Sequence, residues 1–219
     1  MPLTNLLIEV GARKSPLSQA QYEEIYQELS QFIPVTFVPI WIDTVGDKDK
    51  IISLRSLDKT DFFTREIDEM VLSGKCRIAI HSAKDLPDPL RQGLKMVALT
   101  QGVDSSDVLV INNTLKSGAI IASSSERRET MILKRWPDFR CVDIRGTIGE
   151  RLAILDSGKV DGVVMAKAAL IRLRILNERK WIQLEGEMIP LQGKLAVIAR
   201  HDDLEIEELF KPIDARRAK

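Results

Sequence analysis

The chain has 219 residues, 44% hydrophobic and 5% aromatic, with 32 Lys and Arg against 32 Asp and Glu. That length can bury one large or two small cores, and the composition excludes a disordered chain. A zero net charge gives no long-range field for a polyanion, and the few aromatics give no stacking platforms, so no nucleic-acid partner is expected.

The longest apolar stretch, Val160 to Ile171, is broken by Asp161 and Lys167, well short of the roughly 20 residues a membrane helix requires. Met1 to Val10 carries Glu9 and no basic start, unlike a signal peptide. Cys76 and Cys141 occur without CxxC or zinc spacing, so packing roles, no metal and a reducing cytoplasmic setting are expected. Neutrality is uneven: residues 120–180 hold 13 basic against 8 acidic residues, while 1–119 hold 13 against 16 and 181–219 hold 6 against 8. A basic middle suits a local anion site or a solvated helix face.

In chain order, Leu6 to Val10 reads as a strand. Tyr22, Ile25, Leu29 and Phe32 recur at helical spacing until Pro34. Val35 to Ile42 is a strand whose Pro39 predicts an edge or a bend. Phe63, Ile67, Met70 and Val71 mark a helix closed by Ser73-Gly74, and Arg77 to His81 a strand. Strands follow at Val108–Ile111 and Ala119–Ser123, then a helix from about Ser125 to Arg135, stopped by Pro137. Phe139–Val142 is a strand, Ile148, Leu152 and Leu155 a helix, Gly162–Met165 a strand leading into a helix over 166–173. A strand at Leu195–Arg200 and a helix from Leu204 finish the chain. This βαβ rhythm predicts an α/β fold with mostly parallel sheet in two lobes, with a boundary near residues 100–104. Ligands in such folds sit beyond the carboxyl ends of strands.

Those ends are polar. After the first strand, Arg13, Lys14 and Ser15 lead into a helix, an arrangement for an anion or a plain cap by Ser15. The next end carries Thr44 to Lys48, with Asp47. His81, Ser82, Lys84 and Asp85 crowd the third. There Asp85 is either a local partner of Lys84 or a carboxylate able to stabilise a developing cation, and His81 is as compatible with a satisfied structural role as with catalysis. Ser123, Ser124 and Ser125 precede Arg127 and Arg128, and further ends bring Arg145, Arg151, Arg172 and Arg174. Guanidinium groups grip carboxylates in pairs of hydrogen bonds, so successive arginines suit a ligand with several carboxylates. Gln192 and Gly193 precede the last strand, with the glycine marking a hinge or a close approach.

Gly11 to Leu17, Thr44 to Lys48, Phe63 to Glu66, His81 to Pro87, Ser123 to Arg128, Arg145-Gly146 with Arg151-Leu152, Ala168 to Leu170 with Arg172-Leu173, and Gln192-Gly193, in this order, resemble the porphobilinogen deaminase (hydroxymethylbilane synthase) family. His81 to Pro87 and Ser124 to Arg128 are the most specific pieces. The resemblance implies two doubly wound lobes like type II periplasmic solute-binding proteins, with the active-site cleft between them. The expected domains are 1–99 plus 198–219, and 100–197. It also implies four porphobilinogens condensed onto a dipyrromethane primer, with ammonia released each time, in tetrapyrrole (haem) biosynthesis. Asp85 would be the catalytic carboxylate, stabilising an azafulvene cation. Arg13, Ser15, Lys84, Ser124, Ser125, Arg127, Arg128, Arg145, Arg151 and Arg172 would hold substrate and primer carboxylates. Asp47, Phe63, His81, Ser82, Gln192 and Gly193 would line the cleft. A monomer is the family expectation.

The sequence departs from the family pattern in four places. Thr60-Asp61-Phe62-Phe63 replaces Lys-Gly-Leu-Phe, with Lys59 displaced by one, and Asp104-Ser105-Ser106-Asp107 loses an arginine. The segment before Gln192 is shortened to Met188-Ile189-Pro190-Leu191. The family's third domain and its primer cysteine are not expected in this sequence, which implies a noncovalent primer or none. These absences keep open a non-catalytic two-lobed binding or regulatory protein for a polycarboxylate tetrapyrrole-type ligand.

Overall fold

The computed structural model describes residues 5–49, 51–55 and 60–217. In chain order the strands and α-helices are β1 (Leu6–Arg13), α1 (Pro16–Ser30), β2 (Val35–Ile42), α2 (Val45–Lys48), α3 (Arg65–Leu72), β3 (Ile78–Ser82), β4 (Leu94–Leu99), β5 (Asp107–Ile111), β6 (Ile120–Ala122), α4 (Glu126–Arg135), β7 (Arg140–Val142), α5 (Ile148–Asp156), β8 (Gly162–Ala166), α6 (Lys167–Arg172), β9 (Lys180–Gln183), β10 (Leu195–Arg200) and α7 (Leu204–Phe210). They gather into two compact units. One comprises Met1–Lys48, Lys59–Gly102 and Lys194–Lys219, the other Asp49–Asp58 and Val103–Gly193.

The first unit is built on a sheet of order β2-β1-β3-β10-β4. Ser15 caps α1, and Pro16 opens it where a missing N–H costs nothing. Ile25 and Leu29 of that helix are buried with Ile8, Val10, Ile78, Val197 and Phe210 in one core. Pro39 sits in β2 at the sheet edge, as its missing donor requires. α3 begins at Arg65, with Phe63 outside it, so the predicted apolar stripe shortens to the buried Ile67 and Val71.

The second unit repeats this plan with order β7-β6-β8-β5-β9. Its sheet is covered on one side by Leu152, Leu155 and Leu170 and on the other by Met131 and Ile132. In each sheet four strands share one direction, three of them paired parallel side by side, while the strand that arrives from the other unit, β10 or β5, runs antiparallel to both neighbours. The sheets are therefore mixed where the rhythm predicted mostly parallel pairing. Sequence reading missed β4 and β9: Leu94–Leu99 has no clean alternation and Lys180–Gln183 is only 4 residues long.

Phe210 is 0% exposed and lies within 6.4 Å of Phe37, ring centre to ring centre. Phe210→Ala should destabilise the first unit by about 3–5 kcal/mol through lost burial and a residual cavity. Chemical denaturation followed by circular dichroism measures this.

Candidate active site

In the first unit, Arg13 ends β1 and its guanidinium meets the Asp47 carboxylate. Nε lies 3.1 and 3.0 Å from the two oxygens, and Nη2 makes a further contact. The same guanidinium stacks 4.4 Å over the Phe63 ring, a cation–π arrangement. The Thr44 N–H and hydroxyl also donate to Asp47, at 3.1 and 2.8 Å. Gly46 is required here because a Cβ would lie 2.4 Å from the Phe63 ring. Burial alone would raise the Asp47 carboxyl, but the hydrogen bonds and charge of Arg13, with Thr44, hold it below its ordinary 3.8. Three residues read separately from the sequence thus form one cluster that presents Arg13.

Ser15 does what a cap does: its hydroxyl accepts from Ser18 N at 3.3 Å. The Ser82 hydroxyl accepts from buried Gln21 at 2.8 Å. Beyond β3, Ala83–Asp85 forms one 3-10 turn, tied down by Ala83 N donating to Lys194 O at 3.0 Å and by the buried side chains of Ala83 and Leu86. Asp85 is half-buried, and among the described residues its carboxylate has no hydrogen-bond or ion-pair partner. Lys84 has a partner of its own, and among the described residues the local Lys84–Asp85 pair is not formed. His81 is buried, with Nε2 at 3.6 Å from Asp68 Oδ1, and neither atom has a hydrogen-bond partner among the described residues. It is structural in its burial but not satisfied.

In the second unit, Ser123 folds the end of β6 by exchanging hydrogen bonds with the backbone of Ser125, at 3.1 and 3.2 Å. Thr147 and Glu150 form a capping box that starts α5. From that helix Arg151 donates to Gly146 O at 2.9 Å and to the Ser124 hydroxyl at 3.0 Å. Arg145 donates to Asp49 O at 2.5 Å, and Arg172 to Gly193 O at 2.9 Å. Arg55 lies 2.5 Å from Glu129, whose carboxyl is raised by burial and held back by that arginine.

Arg127 and Arg128 converge on Asp107, which the sequence reading treated only as the remnant of a lost motif. Arg128 donates through Nε and Nη2 to Asp107 Oδ1 at 3.1 and 2.7 Å, while Arg127 Nη2 contacts Oδ2. Gln192 Nε2 adds a bond to Oδ1 at 3.1 Å and another to Ser105 O at 2.7 Å. Burial would raise the Asp107 carboxyl, but the two arginines hold it below 3.8. Gly193, at φ 83°, has no room for a side chain, because a Cβ would lie 2.1 Å from Asp104 O. It marks a close approach. Asp107, Arg55, Gln21 and Asp68 were missed, and only Asp107 left a signal, an acid opening an otherwise apolar strand.

Arg127 Nε and Arg55 Nη2 are buried donors with no hydrogen-bond partner among the described residues. Such a donor set fits a ligand bearing carboxylates. Among the described residues no group of three or more His, Cys, Asp or Glu side chains could hold a metal, and no helix is long and apolar enough to cross a membrane. Lys59 lies outside the described residues.

A family profile described as porphobilinogen deaminase, dipyromethane cofactor binding domain, matches residues 8–208. The chain is 38% identical over 214 residues to a probable porphobilinogen deaminase of Chlamydia muridarum, covering 95% of this chain and 87% of that one. It is 34% identical over 213 residues to a porphobilinogen deaminase of Chloroherpeton thalassium, covering 94% and 68%. Among solved structures, a probable amino-acid ABC transporter extracellular-binding protein of Bacillus subtilis shares the fold, with TM-score 0.53 and 14% identity over 95% of this chain and 90% of that one. This likeness bears out the expected solute-binding-protein fold class.

The Arg13–Asp47 pair predicts a pH dependence. A carboxyl lowered by folding adds stability above its unfolded value of 3.8, which is lost as pH falls through the folded value below it. Asp47→Asn should cost about 1.5–3 kcal/mol at pH 7. The difference from the parent chain should shrink below pH 3.8, as measured by denaturation at several pH values.

Proposed function

Because the chain belongs to the porphobilinogen deaminase family, we propose that Asp85 is its catalytic carboxylate and that Arg13, Arg127, Arg145, Arg151 and Arg172 hold the substrate's carboxylates. The reaction is the stepwise deaminative condensation of four porphobilinogens to hydroxymethylbilane, a transferase step of tetrapyrrole biosynthesis. The observation that carries the assignment is the half-buried carboxylate of Asp85, which has no partner among the described residues, on a backbone-anchored turn.

As the aminomethyl C–N bond breaks and ammonia leaves, positive charge spreads into the pyrrole ring. Asp85 accepts the pyrrole N–H and stabilises that charge, and a carboxylate not engaged by a protein cation is available to do so. The next pyrrole carbon then bonds to the methylene and loses its proton. Arg13, oriented by Asp47 and Phe63, and Arg145, Arg151 and Arg172, each fixed by at least one hydrogen bond, bind acetate and propionate groups. Lys84, Ser124 and Ser125 add polar contacts, while Ser15 holds the helix start that follows Arg13.

Dipyrromethane, when bound, supplies the pyrrole end to which the first substrate is joined. Arg127, Arg145 and Arg151 are the residues suited to its carboxylates. Cys76 is buried, with its thiol pushed up to about 11 by that burial, and the Cys141 thiol is raised for the same reason. Neither offers a thiolate near neutral pH, so among the described residues the arginines are the groups that would hold the primer. The cytoplasm is the setting we assign, with one chain as the working unit and neither membrane nor nucleic acid as partner.

The purified chain should consume porphobilinogen, read as ammonia released and as porphyrin after acid oxidation. Asp85→Asn should lower turnover by at least about 10²–10³-fold while calorimetry still detects porphobilinogen binding. Parental turnover in that variant would overturn the assignment.

A further inference from the structure

The deamination chemistry leaves Asp107 without a part, yet this carboxylate is the common partner of two arginines read as ligand-binding and of Gln192, read as lining the cleft. Its side chain is 1% exposed, against 18% for Arg127 and 8% for Arg128. It receives two N–H groups from Arg128, one from Arg127 and one from Gln192. Two guanidinium groups against one carboxylate leave a net positive charge. Arg128 spends Nε and Nη2 on Asp107. Arg127 directs Nη2 to Asp107 and Nη1 to Glu187 O, keeping a buried Nε donor without a partner among the described residues.

We propose that Asp107 is the positioning residue of the arginine array: with Arg128 and Gln192 as fixed partners, it presents Arg127 to a ligand carboxylate. Asp107 and Arg128 do not themselves touch the substrate. This rests on the reading of the site as one for porphobilinogen carboxylates. A group that orients a binding arginine contributes alike to ground state and transition state, so its loss raises KM and leaves kcat nearly unchanged. A group needed only for folding lowers the active fraction and leaves KM alone.

The test measures porphobilinogen affinity by calorimetry in the Asp85→Asn background, and KM and kcat with Asp85 intact. Asp107→Asn removes the charge but keeps an acceptor, and should weaken binding and raise KM by about 10–100-fold with kcat little changed. Arg128→Gln should do the same, and the double variant should be no weaker than the weaker single, because both act through one unit. Unchanged or tighter binding by folded Asp107→Asn, or multiplicative losses in the double variant, would overturn the proposal. Should Asp107→Asn fail to fold, Gln192→Ala decides the matter: a KM raised about threefold or more supports the role, and a parental KM overturns it. Parental turnover in Asp85→Asn would sink the catalytic reading alone, since the calorimetric comparison stands without it.

Discussion

A carboxylate at 1% exposure stays ionised only if surrounding donors replace the water it has lost. Asp107 meets that condition with two guanidinium groups and an amide, and the arrangement of the second unit follows from it. The first turn of α4 must bring Arg127 and Arg128 to the start of β5, and the segment before β10 must bring Gln192 to the same place. Removing the carboxylate would leave two largely buried cations facing each other, the costly case for buried ion pairs. The first unit has a smaller counterpart in Arg13 and Asp47, where a flanking phenyl ring supplies part of the environment.

Each cluster, within its own unit, holds an arginine in a fixed orientation. A single arginine in water would be a mobile cation on a flexible stem. Held by a carboxylate, it loses little further freedom on binding, and its unused donors are aimed in advance. Asp85 differs in having, among the described residues, no cation that neutralises it. A carboxylate already paired would have less charge to offer a developing cation.

Most elements were legible because apolar periodicity and turn residues mark them: Pro39, which pointed to an edge or a bend, lies in an edge strand, and the strand expected near Leu195 to Arg200 runs over those residues. The misses have physical causes. β4 and β9 each pair with a single neighbour, and neither carries the alternation of a half-buried strand. The antiparallel members of the sheets follow from chain crossings that no local pattern encodes. At the site, residue types were legible but partnerships were not. Nothing in the spacing says that Arg127 and Arg128 meet Asp107, 20 and 21 residues away, or that Asp47 meets Arg13 across 34 residues. The buried polar atoms of Thr64, Asp68 and His81 that have no hydrogen-bond partner among the described residues were illegible for another reason: no composition rule anticipates them.

The insertion of β10 between β3 and β4 has a consequence for chain synthesis. The second sheet uses strands from one continuous stretch, β5 to β9, and can close as soon as that stretch emerges. The first sheet cannot. Until residues 195–200 exist, β4 has no partner at all, and β3 exposes the edge that β10 later covers. The half made first is thus the half completed last, and for most of translation it depends on other means to keep a bare strand edge from pairing with the wrong neighbour.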